Sequence, residues 1–590
     1  MTFAHFAAYL EELEATSSRL EMTDQLSKLF QELAHDEIPA ACYLMQGQLV
    51  PTYQSLEFQL STKMVVRALS RLAINGQPTA ESTNLFGEVT EADNSQVTKL
   101  FKELGDMGLV AHTLLVQKGS PKKELSILEV YDRLVIIAQE SGQGSQERKL
   151  QQLTTLLADL DALSAKFVSR IVVGKLRLGF STMTMLDALS WTMAGDKSEA
   201  SLLEDAYQKK ADIGLLAQQY LSQNSPDQRQ KMLTDMSVEV GIPVVPALCQ
   251  RLNSSAEIIA KMGEVIAEPK YDGLRVQIHI HKKEKKLSIF TRNLENVSHM
   301  FPELNAAIDQ LNVETAVLDG EAIGYNRETG EIVTFQETST RRRKHEIEET
   351  AKKVPLRFYI FDVLALNGKS LLPLPLRERK DVLHNLFKEN EVLYKTPSIT
   401  TSDPEVLRNF HNQQLAKGLE GAVIKQIDSP YQSGRKGWSW VKIKEEEGAT
   451  GKLKDTLDVV VMGYYFGRGK RTGFGIGAIL VGVKNEGQEK PFVTIAKIGT
   501  GLSDEQLREM KRRLDELAVT EQPKEYDVSK ALVPDVWAAP DLVIEVAADE
   551  LTKSPNHSAG VALRFPRLVK IREDKSAEQA TTVSELDSLS

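Results

Sequence analysis

The first part of the chain has apolar residues at helical spacing, from residue 1 to about 237. In its clearest segment they recur every three or four residues and so lie on one helix face: Leu150, Leu153, Leu156, Leu157, Leu160, Leu163 and Phe167. Further along, "NSPDQRQKM" has the pattern of a capped helix start after a turn, near Ser225. Residues 1–237 are therefore predicted to form an all-helical domain.

The pattern changes at "GIPVVPALCQRL" (residues 241–252), where two prolines and a glycine interrupt the helical periodicity. Apolar and polar residues then alternate over 276–280 and again over 287–289, on either side of the turn "HKKEKK", which predicts a β-hairpin. "TAVLDGEAI" and "LRFYIFDVLAL" are typical of further strands, and "EVLRNFHNQQLAKG" of a helix. Residues 238–447 are therefore predicted to form an α+β domain.

After "EEEGATGKLKD" the chain has short β-type segments separated by glycine-containing and charged turns: "TLDVVVMGYYFG", "IGAILVGVKN", "FVTIAKIG" and "DLVIEVAAD". One helical segment, "SDEQLREMKRRLDELA", lies among them, and the last segment, "SAEQATTVSELDSLS", has the character of a ragged terminus. This arrangement favours a small OB-fold β-barrel over residues 448–590. The predicted fold class is multidomain, with helical, α+β and OB-fold parts.

Composition narrows the class of protein. The 590 residues are 42% hydrophobic and 26% charged, as in ordinary soluble globular proteins. The net charge of −10 would repel nucleic acid if it were spread evenly, so a nucleic-acid-binding protein would need clustered basic residues. Two such runs are "RRRK" (341–344) and "RGKR" (468–471).

Cysteine content and hydropathy point to an intracellular protein. The two cysteines, Cys42 and Cys249, cannot build a disulfide framework or a four-cysteine zinc site. There is no apolar run of about 18 residues, so no membrane contact is expected. The N-terminal segment has no basic leader, so it is not a secretory signal. We expect a cytoplasmic, nucleoid-associated location.

The candidate chemistry centres on "EPKYDGLR" (268–275), which surrounds Lys270 with an acid, an aromatic ring, an Asp-Gly turn and an arginine. A lysine must lose its proton before it attacks phosphorus, and neighbouring cations, a bound metal and burial each lower its pKa from about 10.4. A P–N bond would then divide one difficult reaction into two easier ones. Arg275 could hold a ribose or phosphate oxygen. By itself, the motif also fits a β-turn with surface charges.

Further motifs follow in order: "FTRN" (Arg292), "LDGEAI" (Asp319, Glu321), "FYIFDVL" (Phe361), "GLEGAVIK" (Glu420, Lys425), "WSWVKIK" (Lys442, Lys444) and "LRFPRLVKIREDK". Glu321 and Glu420 each have a neighbouring glycine that lets a nucleotide approach, and their hard oxygens suit Mg²⁺. Asp319 could position the strand turn instead of a metal. Lys442 and Lys444 share one strand face, which would meet the α-phosphate unless it is a solvated edge.

These motifs, in this order and over nearly the whole chain, resemble those of ATP-dependent DNA ligases of the replicative archaeal/eukaryotic type. "FVSRIVVGKLRLGFSTMTMLDAL" resembles the family's helical DNA-binding domain. "DTLDVVVMGYYFGRGKRTGFG" and "RFPRLVKIREDKSAEQATT" resemble its OB domain. The resemblance implies that nicks in duplex DNA are sealed through lysyl-AMP and a DNA-adenylate, with ATP and Mg²⁺, in replication, repair and recombination.

The resemblance also implies roles for single residues. Lys270 is the adenylated nucleophile, Glu268 lies by the adenine edge, and Phe361 stacks on adenine. Arg275 and Glu321 hold the ribose and help to order the metal. Further expected nucleotide or metal contacts are Arg292 to phosphate, Glu321 and Glu420 to Mg²⁺, Lys442 and Lys444 to the α-phosphate, and Arg572 and Lys575 to the pyrophosphate.

One position departs from the family pattern. Lys436 stands where the family commonly has an arginine, and a lysine cannot make the bidentate contact of a guanidinium. Arg435 is adjacent, so either side chain could contact the nucleotide.

Three other classes of protein are alternatives to this interpretation. An NAD-dependent ligase would carry a cysteine zinc site, and an RNA ligase or capping enzyme would lack the helical domain. A DNA-binding scaffold would not need Lys270, Glu321 and Glu420.

The expected partner is nicked duplex DNA, which the helical domain and the barrel would clasp through its backbone without reading sequence. Closing around DNA predicts a hinge at about residues 447–454. A sliding clamp is a further candidate partner, although "QVTKLF" (96–101) is a poor match to a clamp-binding motif. We expect a monomer. The sequence leaves open whether ADP, GTP or NAD can replace ATP, and whether Mg²⁺ or Mn²⁺ is preferred.

Overall fold

The computed structural model describes residues 1–73, 95–119, 123–176, 178–252, 254–308, 311–341, 347–443, 456–467, 469–499, 502–548 and 550–589. The chain divides into two compact units. The first comprises Met1–Ala92 and Ala111–Gly448, and the second comprises Asp93–Val110 and Ala449–Ser590. The division into two units does not test the three predicted domains, 1–237, 238–447 and 448–590, which stay a prediction.

The N-terminal part is helical, as the periodicity predicts. Its helices are α1 (Phe3–Ala15), α2 (Arg19–Glu32), α3 (Ile38–Met45), α4 (Thr62–Ala73), α5 (Ser95–Leu104), α6 (Met107–Lys118), α7 (Ile127–Gln139), α8 (Ser145–Asp159), α9 (Ala162–Val172), α10 (Thr182–Ala194), α11 (Ala200–Lys209), α12 (Ile213–Leu221) and α13 (Pro226–Asp235). Helix α5 and the start of α6 belong to the second unit. None of the helices in the described ranges has the length and hydropathy needed to cross a lipid bilayer.

The leucine-rich segment that suggested one helix forms two. Helix α8 ends at Asp159, and Asp161 caps α9 by accepting hydrogen bonds from the backbone N–H groups of Leu163 and Ser164. The apolar side chains before the break are buried, and so is Phe167 after it. Burial of one face was therefore predicted correctly. The break was missed because an aspartate cap leaves the apolar spacing almost unchanged.

The α+β part contains two sheets. Its strands are β1 (Gln250–Arg251), β2 (Val265–Pro269), β3 (Leu274–His281), β4 (Lys286–Thr291), β5 (Thr315–Gly324), β6 (Leu356–Leu366), β7 (Lys369–Ser370), β8 (Leu393–Lys395), β9 (Ile399–Thr401), β10 (Ala422–Gln426) and β11 (Trp440–Ile443). One sheet has the order β1-β11-β10-β2-β9. The other has the order β4-β3-β5-β6-β7, with β8 beside β6. Strands β3 and β4 form the predicted hairpin, with Ile278 opposite Ile289.

Helices connect and cover these sheets: α14 (Ser255–Met262), α15 (Glu303–Ile308), α16 (Phe335–Ser339), α17 (Ile347–Lys353), α18 (Leu376–Leu386) and α19 (Pro404–Ala416). One face of the β3–β8 sheet is apolar and packs with α15 and α18, and Leu318 and Ile360 are fully buried there. Strand alternation sends Arg275, Glu321 and Tyr359 to the opposite face. Arg275 pairs with Glu321, and Glu321 pairs with Tyr359, so the register places three polar side chains in one row.

The second unit is rich in strands: β12 (Leu457–Tyr465), β13 (Ala478–Lys484), β14 (Phe492–Ile498), β15 (Ala518–Val519), β16 (Tyr526–Asp527), β17 (Val536–Ala538), β18 (Val543–Ala547), β19 (Glu550–Lys553), β20 (Val561–Arg564) and β21 (Arg567–Ile571). Strand β12 pairs with β13, β17 and β18, and β18 also pairs with β21. The predicted helix is α20 (Asp504–Glu516), which begins with a capping box of Ser503 and Gln506. The predicted fold class is confirmed.

The ragged C-terminus is a wrong prediction. Residues 583–589 form α21 (Val583–Leu589), and Leu586 is buried in the core of the second unit. Glu585 caps its start by accepting hydrogen bonds from the Thr582 backbone and hydroxyl. The segment looked ragged because its polar residues hide the few apolar positions that anchor it.

We predict that Arg379→Ala strongly destabilises the protein. Arg379 of α18 and Asp362 of β6 form an ion pair whose two side chains have no exposed surface, with Nε–Oδ1 at 2.8 Å and Nη2–Oδ2 at 3.1 Å. Removing the guanidinium leaves a buried carboxylate without its partner, which costs about 3–5 kcal/mol. Chemical denaturation of the full chain measures this loss.

The matched control is Arg377→Ala in the same helix. Its guanidinium is half-exposed and pairs with exposed Asp428, so we expect a loss below about 1 kcal/mol. Equal losses for the two variants would contradict the assignment of stability to the buried pair.

Candidate active site

The catalytic candidate Lys270 lies immediately after β2, where the two sheets meet. Its backbone N–H donates to the Gly421 carbonyl at 2.9 Å, and the Glu420 N–H donates back to the Lys270 carbonyl at 3.2 Å. The Lys270 ammonium also forms an ion pair with the Glu420 carboxylate, and both side chains are mostly buried. These contacts fix the lysine against the turn that precedes β10.

The turn beside Lys270 requires glycine. Gly421 has a φ of +119°, and a Cβ at this position would collide with the carbonyl oxygen of Ile443 and the ring of His411. The "EG" pair therefore has a structural reason as well as the predicted chemical one. Glycine lets the backbone just before β10 pass close to the Ile443 carbonyl and the His411 ring.

Glu268, predicted to lie by the adenine edge, is buried and carries two lysines. The Lys380 ammonium contacts one of its carboxylate oxygens, and the Lys425 ammonium lies 2.7 Å from the other. The Lys425 ammonium also lies 4.3 Å from the ring centre of Phe361 and 4.0 Å from that of Trp440. Burial lowers the pKa of Lys425, and the Glu268 carboxylate opposes this effect. Both Glu268 oxygens are therefore engaged, so its contact with adenine stays a prediction.

Arg275 is held by an acid that the sequence left ambiguous. Its guanidinium makes two hydrogen bonds to Asp319, of 3.1 and 2.7 Å, and donates a third to the Ala247 carbonyl at 2.6 Å. The hydroxyl of Tyr431 donates to the same Asp319 carboxylate at 2.8 Å. Asp319 thus orients Arg275, a contact that was not predicted for it.

Glu321 is next to Arg275 across the β3–β5 pair. Burial raises the pKa of Glu321 to about 7; the charges of Arg275 and Lys270 oppose the rise, and those of Asp319 and Asp272 add to it. Among the described residues, there is no group of three or more His, Cys, Asp or Glu side chains that could hold a metal. Carboxylate oxygens such as those of Glu321 and Glu420 are of the type that binds Mg²⁺, which keeps several waters and binds substrate phosphates, and their role as its ligands stays a prediction.

The half-buried thiol of Cys249 shows that several cations converge on the same cleft. Burial raises the pKa of Cys249, and the positive charges of Arg275, Lys425, Lys270 and Lys442 all oppose that rise. Four cations therefore act on one point beside the candidate nucleophile. Such a concentration of positive charge suits a polyphosphate.

The remaining predicted contacts differ in their placement. Phe361 is half-buried on β6 and meets Trp440 edge-on, with ring centres 5.9 Å apart. Lys442 lies on β11, opposite Val423 of β10, so its predicted strand placement is confirmed. Arg292 is exposed just after β4, near the β3 end that carries Arg275. Lys444 lies outside the described residues, as does the predicted hinge at 447–454.

Lys436 contacts the helical part of the chain. Its ammonium lies 2.9 Å from the Glu204 carboxylate and 3.6 Å from that of Asp205, and donates to the Gln208 side chain at 3.4 Å. All three belong to α11. Arg435 is exposed and has no ion-pair or hydrogen-bond partner in the described ranges. The choice between the two as the nucleotide contact stays open.

The two basic runs are only partly surface features. Arg341 is buried and pairs with Glu303 at 2.9 Å, and residues 342–344 lie outside the described ranges. Arg471 donates to the backbone carbonyls of Gly477 and Gly499. Arg468 and the side chain of Lys470 are not described. Arg341 is therefore turned inward, and Arg471 is half-buried and bonded to backbone carbonyls, so neither is a freely exposed charge of its run.

In the second unit, Arg572 and Lys575 converge on one carboxylate. Arg572 lies 2.9 Å from Asp458 and also pairs with Asp574 at 2.7 Å. The Lys575 ammonium lies 2.5 Å from Asp458. The predicted basic pair is thus preassembled within its own unit. The sequence did not identify Asp458 as their partner, because only its charge distinguishes it within the apolar segment "TLDVVV".

Several residues of the cleft were not singled out from the sequence: Lys380, Tyr359, Tyr431 and Trp440. Lys380 and Tyr431 belong to no motif, whereas Tyr359 and Trp440 lie within "FYIFDVL" and "WSWVKIK" but were given no role there. Lys380 occurs in an ordinary charged helix, and the aromatic residues look like core positions. Only the three-dimensional register brings them to the charged face.

The fold and the charged cleft together define the class as nucleotidyltransferase-type ligases. The description "DNA ligase N terminus" matches residues 2–190, "ATP dependent DNA ligase domain" matches 246–444, and "ATP dependent DNA ligase C terminal region" matches 472–575. The chain is 38% identical to a protein named "Probable DNA ligase" from Dictyoglomus turgidum over 595 residues, covering 99% of this chain and 97% of that protein. It is also 38% identical to "DNA ligase 2" from Thermofilum pendens, covering 99% and 96%.

The chain belongs to the ATP-dependent DNA ligase family. A solved structure described as "Pmar-Lig_PreS3" shares the fold, with a TM-score of 0.52 at 17% identity, over 96% of this chain and 99% of that one. Membership confirms the predicted family and the use of ATP with Mg²⁺. It sets aside the NAD-dependent, RNA-ligase and scaffold alternatives.

We predict that Glu321→Gln changes the pH dependence of stability. Because the folded-state pKa of Glu321 is about 7, above its ordinary value of 4.5, the folded protein keeps this proton between pH 4.5 and 7 while the unfolded chain releases it. The contribution of Glu321 to stability therefore falls as pH rises through this window. The stability of the wild type relative to Glu321→Gln should be lower at pH 8 than at pH 5, in denaturant titrations without divalent metal. A difference that is the same at both pH values would contradict the raised pKa.

Proposed function

We propose that Lys270 is the residue that carries the nucleotide when this ligase seals nicks in duplex DNA. The observation that supports this role is the Lys270–Glu420 ion pair within a cleft where Arg275, Lys425 and Lys442 add positive charge. The Lys270 nitrogen attacks the α-phosphorus of ATP, forms a P–N bond and expels pyrophosphate. An oxygen of the 5′-phosphate at the nick then attacks the same phosphorus and frees the lysine. Finally, the 3′-hydroxyl attacks the DNA 5′-phosphorus and releases AMP.

The attack requires the lysine to exchange its partner. In the structure its ammonium is held by Glu420. Glu420 and Glu321 would hold Mg²⁺, which neutralises phosphate charge when it is bound. Turning Glu420 towards that role frees the amine.

The nucleotide itself would contact both walls of the cleft. Phe361 offers a flat apolar ring to adenine, with Glu268 at its edge, and Arg275 reaches the ribose. Lys442 and Lys444 face the α-phosphate, and Arg292 holds a phosphate. Either Arg435 or Lys436 adds a further contact.

Arg572 and Lys575 of the second unit would receive the pyrophosphate, and a hinge at 447–454 would allow closure. We propose that the protein acts as a monomer, without sequence preference, on nicks left by replication, repair and recombination. Backbone contacts would hold the duplex. A cytoplasmic, nucleoid-associated location and a clamp partner stay predictions.

We predict that Lys270→Ala abolishes transfer of label from [α-³²P]ATP to the protein and sealing of an ordinary nick. The same variant should still seal a nick whose 5′ end is already adenylated, because the last step does not need the lysine as a nucleophile. Lys283→Ala, which removes an exposed lysine from the β3–β4 turn at the other end of β3, is the control and should label normally. Acid-labile label on the Lys270→Ala protein would disprove the assignment. Replacing ATP with NAD in the wild-type assay should give no sealing.

A further inference from the structure

Three tyrosine rings stack in a row beside Lys270. The ring centres of Tyr271 and Tyr359 are 4.5 Å apart with an angle of 29° between the planes, and those of Tyr359 and Tyr394 are 5.4 Å apart, also at 29°. All three side chains are half-buried. The rings come from the turn after β2, from β6 and from β8. The stack therefore joins segments that are distant in sequence.

The strand register places the stack next to the Glu321 side chain. On four adjacent strands, Arg275 pairs with Glu321, Glu321 with Tyr359, and Tyr359 with Tyr394. Cross-strand partners lie on the same face of a sheet, so Tyr359 is the immediate neighbour of the Glu321 side chain. The ring of Tyr359 also stacks on that of Tyr271, which is adjacent in the chain to Lys270.

Lys270 is consequently attached to the two sheets in different ways. Its backbone is hydrogen-bonded to Gly421 and Glu420, at the start of β10 in one sheet. The sheet that carries Glu321 holds the same turn through the Tyr271–Tyr359 ring contact. In the described part of the chain, the Tyr271 hydroxyl has no hydrogen-bond partner, so this attachment depends on the ring and not on the hydroxyl.

The tyrosines do not have the properties of proton-transfer groups. Burial raises the pKa of both Tyr271 and Tyr359, so the phenols are neutral at physiological pH. A neutral aromatic stack instead supplies a rigid surface with a defined spacing.

We propose that Tyr359 is a positioning residue for adenylyl transfer: by holding Tyr271, it fixes Lys270 relative to the Glu321 carboxylate. The inference rests on the proposed role of Lys270 as nucleophile. Misplacing a nucleophile by about 1 Å can cost about 100-fold in rate, so loss of the stack should lower the rate of the chemical step. Affinity for ATP should change little, because neither Tyr271 nor Tyr359 is among the residues assigned to the nucleotide.

The test is single-turnover adenylation of the full-length protein with [α-³²P]ATP over a range of ATP concentrations. Tyr359→Leu should lower the maximal rate by about 10- to 100-fold, with the apparent Kd for ATP within about threefold of wild type. Tyr359→Phe keeps the ring and should stay within about threefold in both values. Tyr271→Leu should reproduce the defect of Tyr359→Leu, and the double variant should be no slower than the slower single variant, because both remove one contact.

Controls separate positioning from general damage. Tyr394→Leu removes the outer ring and leaves the Tyr271–Tyr359 contact, so it should have a much smaller effect on the rate. Sealing of a pre-adenylated nick should be nearly normal in all the variants, which shows that they are folded. If Tyr359→Leu fails to fold, Tyr271→Leu and Tyr271→Phe provide the same comparison.

The outcomes are distinguishable. A normal maximal rate for Tyr359→Leu, a defect confined to Kd, or an equal defect in Tyr359→Phe would overturn the positioning role. If label forms on the Lys270→Ala protein, the proposed function itself fails. If Lys270 is essential and Tyr359→Leu adenylates normally, only the positioning role fails.

Discussion

The cleft depends on the pairing of buried opposite charges across elements that are far apart in sequence. Lys270 meets Glu420, Glu268 carries Lys380 and Lys425, and Arg275 holds Asp319. Each pairing needs two strands, or a strand and a helix, in one register. Charges removed from water are tolerated only when they are paired and hydrogen-bonded. Correct folding of both sheets is thus a condition for the cleft to hold so many ionised groups.

This dependence explains how a stable cleft can also be reactive. A charged group that is already oriented needs little reorganisation when a substrate with matching charge arrives. Hydrogen bonds to Asp319 and to the Ala247 carbonyl fix the orientation of the Arg275 guanidinium. Glu321 is the exception: burial raises its pKa to about 7, so the carboxyl is only partly ionised at physiological pH until a cation compensates it. Charge in the cleft is balanced before the nucleotide enters and can be redistributed when it does.

The sequence predicted the secondary-structure elements and the residues within motifs more reliably than the contacts that those residues make. The hairpin β3–β4 follows from alternation, and β5, β6, β12, β13, β14 and β18 follow from β-type segments, signals that local chemistry determines. Asp319 was recognised as a candidate, but its contact with Arg275 depends on pairing between β3 and β5. Lys380 could not be identified, since nothing local distinguishes a helix lysine that reaches a buried glutamate. The inward orientation of Arg341 could not be identified either, because a basic run gives no information about which of its members is turned inward.

A polyphosphate could exchange places with the protein's own carboxylates. Lys270, Lys436 and the Arg572–Lys575 pair are all assigned to the nucleotide, and each already contacts an acid: Glu420, Glu204 and Asp458. Arg292 and Arg435, by contrast, are exposed and have no ionic partner in the described ranges. An incoming phosphate would meet the exposed arginines at no cost in broken ion pairs, whereas each paired cation must give up a carboxylate. If these residues contact the nucleotide as proposed, the paired cations would bind only a substrate that is placed well enough to replace the acid, and correct placement would then be coupled to release of the nucleophile.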